Sequence, residues 1–114
     1  MDPRLDTREI TPDLLAYIVQ KIVDAINPQK IILFGSRARG DATPESDLDL
    51  FIVYDGTENS RIIRRKLDLL FWGRAFGMDI LVNSSQELAE NLKIGNLFVQ
   101  THIFAQGKIL YERR

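Results

Sequence analysis

The stretch FGSRARGDATPESDLDL, residues 34–50, decides the fold of this chain. A glycine turn follows an apolar strand, a short polar loop comes next, and two carboxylates spaced i, i+2 open the following strand. Side chains two apart on a strand point to the same face, so Asp47 and Asp49 are predicted to converge. Leu48 and Leu50 then turn the other way into a core. Converging carboxylates with an open side are typical of Mg²⁺ that is shared with substrate phosphates.

The glycine turn supplies the second half of the predicted site. Residues 31–34 form a continuous apolar run of strand type, and Gly35 and Ser36 follow directly. A glycine lets the backbone turn sharply and approach a ligand with no Cβ in the way. We therefore predict that phosphate oxygens meet backbone N–H groups and the Ser36 hydroxyl at this turn. The cations of Arg37 and Arg39 would neutralise charge beside it, although both side chains also suit an exposed helix.

Two rival motifs do not fit the same stretch. Residues 35–40 have the glycine spacing of a P-loop, but Asp41 stands where that motif requires lysine. An EF-hand loop beginning at Asp47 would place Ile52 where the turn glycine belongs. A Walker A motif and an EF-hand calcium site are therefore excluded.

The sequence GSRARG at 35–40, a five-residue spacer and SDLDL at 46–50 resemble the signature of the minimal nucleotidyltransferases. These form a branch of the DNA polymerase beta-like nucleotidyltransferase superfamily. The resemblance implies an ATP substrate and a Mg²⁺ site, with two ions about 3.5–4 Å apart clamping the attacking and leaving oxygens. The positions implied to bind the nucleotide are Gly35, Ser36, Arg39 and Ser46. The positions implied to hold metal and to serve catalysis are Asp47, Asp49 and Asp79.

Asp79 lies in a second strand-like run, residues 78–82. This run follows Asp49 by one strand–helix–strand unit, so adjacent strands could bring the carboxylates together. An aspartate that opens a strand is also commonly a turn or cap residue. The resemblance favours the interpretation of Asp79 as the third metal ligand.

Composition bounds the remaining possibilities. With 114 residues and 45% apolar content, the chain has room for one domain, residues 1–114. A formal charge of −1 gives no general basis for nucleic-acid binding, and the absence of cysteine excludes disulfides and zinc–cysteine sites. The polar N-terminus has no apolar signal region and no stretch approaches the ~20 apolar residues of a membrane span. We expect a cytoplasmic protein without a membrane partner.

Hydrophobic periodicity and turn signals predict an α/β chain with a small mixed β-sheet covered by helices. A capping box, Ser84 with Glu87, is predicted to open one helix. The predicted helices are 11–27, a short helix ending at Arg39, 57–72, a helix from Ser84 or Ser85 toward Leu92, and 96–106. The predicted strands are 30–34, 47–54, 78–82 and an edge strand at 108–111.

Three other features have mostly structural interpretations. The basic run between Arg61 and Lys66 is expected to be the solvated face of an amphipathic helix. His102, the single histidine, has no ligand partner at suitable spacing and is expected to pack in the core or at the surface. The apolar stretch around Phe98, Ile103 and Phe104 either packs on the sheet or forms a partner interface.

The resemblance implies transfer of a nucleoside monophosphate, most plausibly AMP from ATP, to an acceptor hydroxyl that Asp79 orients or deprotonates. Similar proteins are typically antitoxins that pair with a helical HEPN-type toxin and AMPylate a tyrosine of it. The chain would then work as a hetero-oligomer and could also form a homodimer. Two alternatives stay open at this point: neutralisation of the toxin by masking alone, and transfer to a small molecule or an RNA end.

Overall fold

The computed structural model describes residues 2–114, so that Met1 alone lies outside it. A short 3₁₀ helix, Pro3–Leu5, precedes the long helix α1, Pro12–Ile26. The Thr11 hydroxyl caps α1 by accepting a hydrogen bond from the Leu14 N–H at 3.1 Å. Asn27 ends the helix in the left-handed conformation at φ 47°. The chain can therefore turn at once into the first strand.

Four strands form one mixed sheet in the order β3-β2-β1-β4. The strands are β1 Lys30–Phe34, β2 Leu48–Val53, β3 Met78–Asn83 and β4 Lys108–Glu112. β1 is antiparallel to both β2 and β4, whereas β2 and β3 are parallel. The predicted α/β fold with a mixed sheet and an edge strand near the C-terminus is confirmed.

The remaining helices are α2 Ser36–Arg39, α3 Ser60–Leu70 and α4 Ser85–Lys93. The α3 helix begins at Ser60 and not at 57, because the Asn59 side chain caps it by accepting from the Ile62 N–H at 2.9 Å. The predicted capping box of α4 is present in full, with Ser84 and Glu87 bonding each other's backbone N–H. Among residues 2–114, no helix is both long and apolar enough to cross a membrane.

The two faces of the sheet are covered differently. One face meets α1 and α3 in the main core, where Leu48 and Leu50 are fully buried as predicted. The other face carries a smaller core that includes Phe34, Phe51 and Val53. Because side chains alternate along a strand, Asp49 lies on the face of the smaller core. The face that carries Asp49 is thus the less covered one.

The segment Val99–Ala105 covers part of this second face as a π-helix, where the sequence predicts an ordinary helix over 96–106. The Gln106 N–H bonds the Thr101 carbonyl at 3.0 Å, a five-residue step that the wider turn produces. Val99 and Ile103 anchor the segment in the smaller core. Ile103 is only 2% exposed, so it cannot belong to a partner interface, whereas Phe98 and Phe104 stay exposed.

Candidate functional site

Asp49 and Asp79 occupy opposed positions on the parallel strands β2 and β3. Register partners on adjacent strands share one face, about 4.8 Å apart. Asp47 directly precedes β2 and is exposed, as is Asp79, while Asp49 is half-buried. The structure therefore brings the three sequence-predicted carboxylates to one end of one sheet face.

The electrostatics of Asp49 reflect this crowding. Partial burial raises the pKa of the Asp49 carboxyl, and the negative charges of Asp79 and Asp47 raise it further. Arg39 and Arg37 act in the opposite direction with smaller effects. A carboxylate that is desolvated and faces like charges is a place where a bound cation relieves repulsion.

Gly35 lies directly against Asp49. Its φ is +75° and its ψ is −158°, a conformation that is essentially restricted to glycine. An added Cβ would overlap Asp49 Oδ2 and stand 3.1 Å from Cγ. Gly35 is also the N-cap residue of α2, whose first backbone N–H groups have no acceptor within the helix. The predicted phosphate turn and the predicted metal ligand are therefore in contact.

A second glycine, Gly77, lies at the site but is not among the site residues predicted from the sequence. Its carbonyl accepts a hydrogen bond from the Leu48 N–H at 2.9 Å, which ties the start of β3 to the start of β2. A Cβ here would overlap Asp47 Oδ1 and stand 2.8 Å from its Cγ. The available signal is its place two residues before Asp79, at the entrance of an apolar strand.

Gly77→Ala is expected to reduce nucleotidyl transfer by roughly 10- to 100-fold, because the added methyl group displaces the Asp47 carboxylate. Stability should change little, since Asp47 is exposed and its side chain can move aside. Steady-state transfer rates and thermal unfolding of the same preparation measure both quantities. Wild-type transfer would show that the position of Asp47 is not critical.

The loop between α2 and β2 is organised by Arg37 and Ser46. The Arg37 guanidinium donates to the Ser46 carbonyl at 2.8 Å through Nη2. The Ser46 hydroxyl accepts from the Thr43 N–H at 2.9 Å. Ser46 thus shapes the loop that leads into Asp47, and sequence reasoning did not foresee the part that Arg37 plays in holding it.

Ser36 and Arg39 lie at the two ends of α2. Ser36 is half-buried beside Gly35, at the predicted phosphate turn. Arg39 is exposed, and its Nε lies 3.3 Å from Asp41 Oδ2. An exposed ion pair of this kind contributes little to stability, so the guanidinium can exchange Asp41 for a phosphate oxygen at small cost.

The carboxylates of Asp47 and Asp49 are suitable ligands for a Mg²⁺ ion that is bound together with nucleotide phosphates. Within the described part of the chain, no three acidic, histidine or cysteine side chains already form a metal-ligating group. Mg²⁺ does not require one, because it is commonly held by one or two carboxylates together with substrate phosphates. Asp47 and Asp49 would supply hard oxygen ligands, and Gly35, which has no Cβ, adjoins Asp49.

Comparison with known proteins agrees with this geometry. The family model "Polymerase beta, Nucleotidyltransferase" matches residues 17–114. The chain belongs to this nucleotidyltransferase family. The match begins within α1 and includes every strand and every carboxylate of the site.

Proteins similar to this nucleotidyltransferase have been found by sequence and by structure. A Methanocaldococcus jannaschii protein, provisionally named a protein adenylyltransferase, is 39% identical over 85 residues, which are 73% of this chain and 78% of the relative. A provisionally assigned nucleotidyltransferase from Sulfolobus solfataricus superposes with a TM-score of 0.60 at 22% identity, covering 89% of this chain and 79% of that one. A toxin–antitoxin crystal structure with AMP-PNP superposes with a TM-score of 0.55 at 21% identity, covering 87% of this chain and 74% of that one. At these identities the two solved structures establish the fold alone.

Proposed function

We propose that this nucleotidyltransferase transfers AMP from ATP to a protein hydroxyl, namely a tyrosine of a HEPN-type toxin, and so acts as the antitoxin. The observation that carries the proposal is the pairing of Asp49 with Asp79 beside the Gly35 turn. The name of the M. jannaschii relative supports adenylyl transfer to protein. The toxin–antitoxin neighbour with AMP-PNP supports the partner and the nucleotide.

The residues of the site divide the work of this reaction. Gly35 and Ser36 bind the β- and γ-phosphates, and Arg39 neutralises charge beside them. Asp47 and Asp49 would hold Mg²⁺, which would neutralise charge at the phosphates. The acceptor oxygen forms a bond to the α-phosphorus, the bond from that phosphorus to the bridging oxygen breaks, and pyrophosphate leaves. Asp79 accepts the hydroxyl proton.

The position of β3 gives the acceptor access to Asp79. β3 is an edge strand, and Asp79 is exposed near its beginning. A tyrosine on a second protein can therefore reach the carboxylate without opening the sheet. Exposed apolar residues of the same face, Phe98 and Phe104, also favour contact with a protein. The same contact would also allow neutralisation of the toxin by binding alone. The experiment therefore has to distinguish AMP transfer from masking.

Asp79→Asn is expected to bind both Mg-ATP and the toxin but to leave the toxin unmodified, because an amide cannot accept the hydroxyl proton. Each variant is expressed together with a HEPN-type toxin encoded beside its gene. The intact mass of the toxin and cell growth are then measured. Wild type should add AMP units and protect, whereas Asp79→Asn should add none and restore toxicity.

Asp68→Asn is the matched control, since it removes an exposed carboxylate from α3, away from the site. It should modify the toxin as wild type does. Full protection by Asp79→Asn with no added mass would favour masking. A wild-type protein that adds no AMP to the toxin would contradict the proposed acceptor.

A further inference from the structure

A cavity of about 360 Å³ lies at the edge strand β3, between side chains of α3 and the segment around Phe98. Its floor includes Phe51 and Leu81. These residues follow Asp49 and Asp79 by two positions, on the same face of the same strands. Two residues along a strand span about 6.6 Å. The cavity therefore begins one side chain beyond the predicted metal site.

An exposed aromatic side chain, Phe98, lies at the rim of this cavity. The Phe98 ring is 5.7 Å from the Phe34 ring at an interplanar angle of 85°, and 5.2 Å from the His102 ring. Phe34 is nearly buried and immediately precedes Gly35. Phe98 itself remains 42% exposed. The segment is anchored by other residues, so this exposed ring is held next to the phosphate turn without being needed for the core.

Three asparagines supply polar groups to the same cavity. Asn91 Nδ2 donates to Asn83 Oδ1 at 3.1 Å, and Asn96 Nδ2 donates to Asn91 Oδ1 at 3.3 Å. Asn83 Nδ2 donates to the Val82 carbonyl at 2.9 Å. Each amide group has two N–H donors, and each of these bonds uses one of them. The network fixes the amides in place, and the second donors suit the nitrogen and oxygen acceptors of a base edge.

We propose that this cavity binds the nucleobase of the triphosphate, with Phe98 stacking on the base and the asparagines facing its edge. The inference rests on the proposed function, which places the phosphates at Gly35. The cavity combines an apolar floor, one aromatic wall and the asparagines with Ser60, Arg61 and Arg64 of α3. Apolar and aromatic walls with a few polar or charged groups are the usual composition of a small-molecule site. Aromatic stacking suits any base, whereas the amide donors select among them. The one nucleotide would thus span the turn, the carboxylates and the cavity.

Calorimetric titration of two ligands tests this assignment, namely Mg-ATP and the magnesium complex of inorganic tripolyphosphate. Phe98→Ala should weaken ATP binding roughly ten-fold, because the stacking of the ring on the base is lost. Tripolyphosphate, which has no base, should bind Phe98→Ala as it binds wild type. Phe98→Trp should bind ATP nearly as wild type does, because it retains an aromatic face. Phe104→Ala is the matched control, since this ring is 49% exposed in the same segment but does not line the cavity.

The outcomes separate this inference from the proposed function. Unchanged ATP affinity in Phe98→Ala would overturn the inference, and so would equal losses for ATP and tripolyphosphate. Retained ATP binding with lost toxin binding would assign Phe98 to a protein interface and overturn it as well. If wild type binds neither ligand, the proposed function itself fails, and the inference fails with it.

Discussion

Asp49→Asn is expected to abolish nucleotidyl transfer while raising the thermal midpoint of the ligand-free protein. Transfer should fall by roughly 100-fold or more, because a metal ligand facing the phosphates is lost. Stability should rise because the amide removes a negative charge that partial burial and two neighbouring carboxylates disfavour. Transfer assays and thermal unfolding in the presence of a chelator measure the two effects on one protein.

The pH dependence of the stability difference gives a second measurement. Because the pKa of Asp49 is raised in the folded protein, its ionised form destabilises the fold above that pKa. The destabilisation disappears as pH falls through the folded and then the unfolded pKa, since the carboxyl is then protonated in both states. The stability of Asp49→Asn should therefore exceed that of wild type most at neutral pH. In acid the two proteins should be equally stable.

Controls distinguish a site effect from a general charge effect. Asp68→Asn removes an exposed charge on α3 and should leave transfer unchanged. Saturating Mg-ATP should raise the midpoint of wild type but not that of Asp49→Asn, since only a protein that binds ligand is stabilised by it. Asp47→Asn should likewise lose transfer. Wild-type turnover in either site variant would contradict the catalytic assignment.

Gly35→Ala should eliminate measurable ATP binding, because the added Cβ occupies the space of the Asp49 carboxylate at the phosphate turn. The backbone conformation of Gly35 adds a strain of about 1–3 kcal/mol for any other residue. Calorimetric titration of ATP, at a temperature where circular dichroism shows the variant folded, measures the loss. Toxin affinity should fall less than ATP affinity.

Gly40→Ala is the matched control for backbone strain. Gly40 also has a positive φ, +87°, at the other end of α2, but a Cβ there meets no atom within 4 Å. Gly40→Ala should lose stability yet retain ATP binding. If both variants lose ATP binding equally, strain and not contact with Asp49 explains the result.

Sequence patterns predict those parts of the molecule that depend on local chemistry. The apolar run ending at Phe34 gives β1 with its observed bounds, and the i, i+2 spacing of Asp47 and Asp49 marks the start of β2. The pairing of Asp49 with Asp79 is expected from the strand–helix–strand order of the chain. The capping box at Ser84 is likewise a local hydrogen-bond pattern. These predictions hold because turn, cap and alternation signals lie within a few residues of one another.

The parts that sequence patterns miss depend on contacts between distant segments. Gly77 is required by Asp47, which lies in another part of the chain. The position of Arg37 depends on a carbonyl across the loop. The π-helix around Ile103 places apolar residues at i and i+4, which an α-helix also does, so periodicity over one short segment cannot tell them apart.

Asp49 and Asp79 lie side by side only while the parallel strands β2 and β3 keep their observed alignment. A slip of β3 by one residue would set Met78 or Ile80 beside Asp49 and turn Asp79 to the opposite face. If the proposed site binds a metal–nucleotide complex, only the aligned strands can hold it, and binding would deplete the misaligned states. The substrate would thereby preserve the strand alignment on which its own site depends.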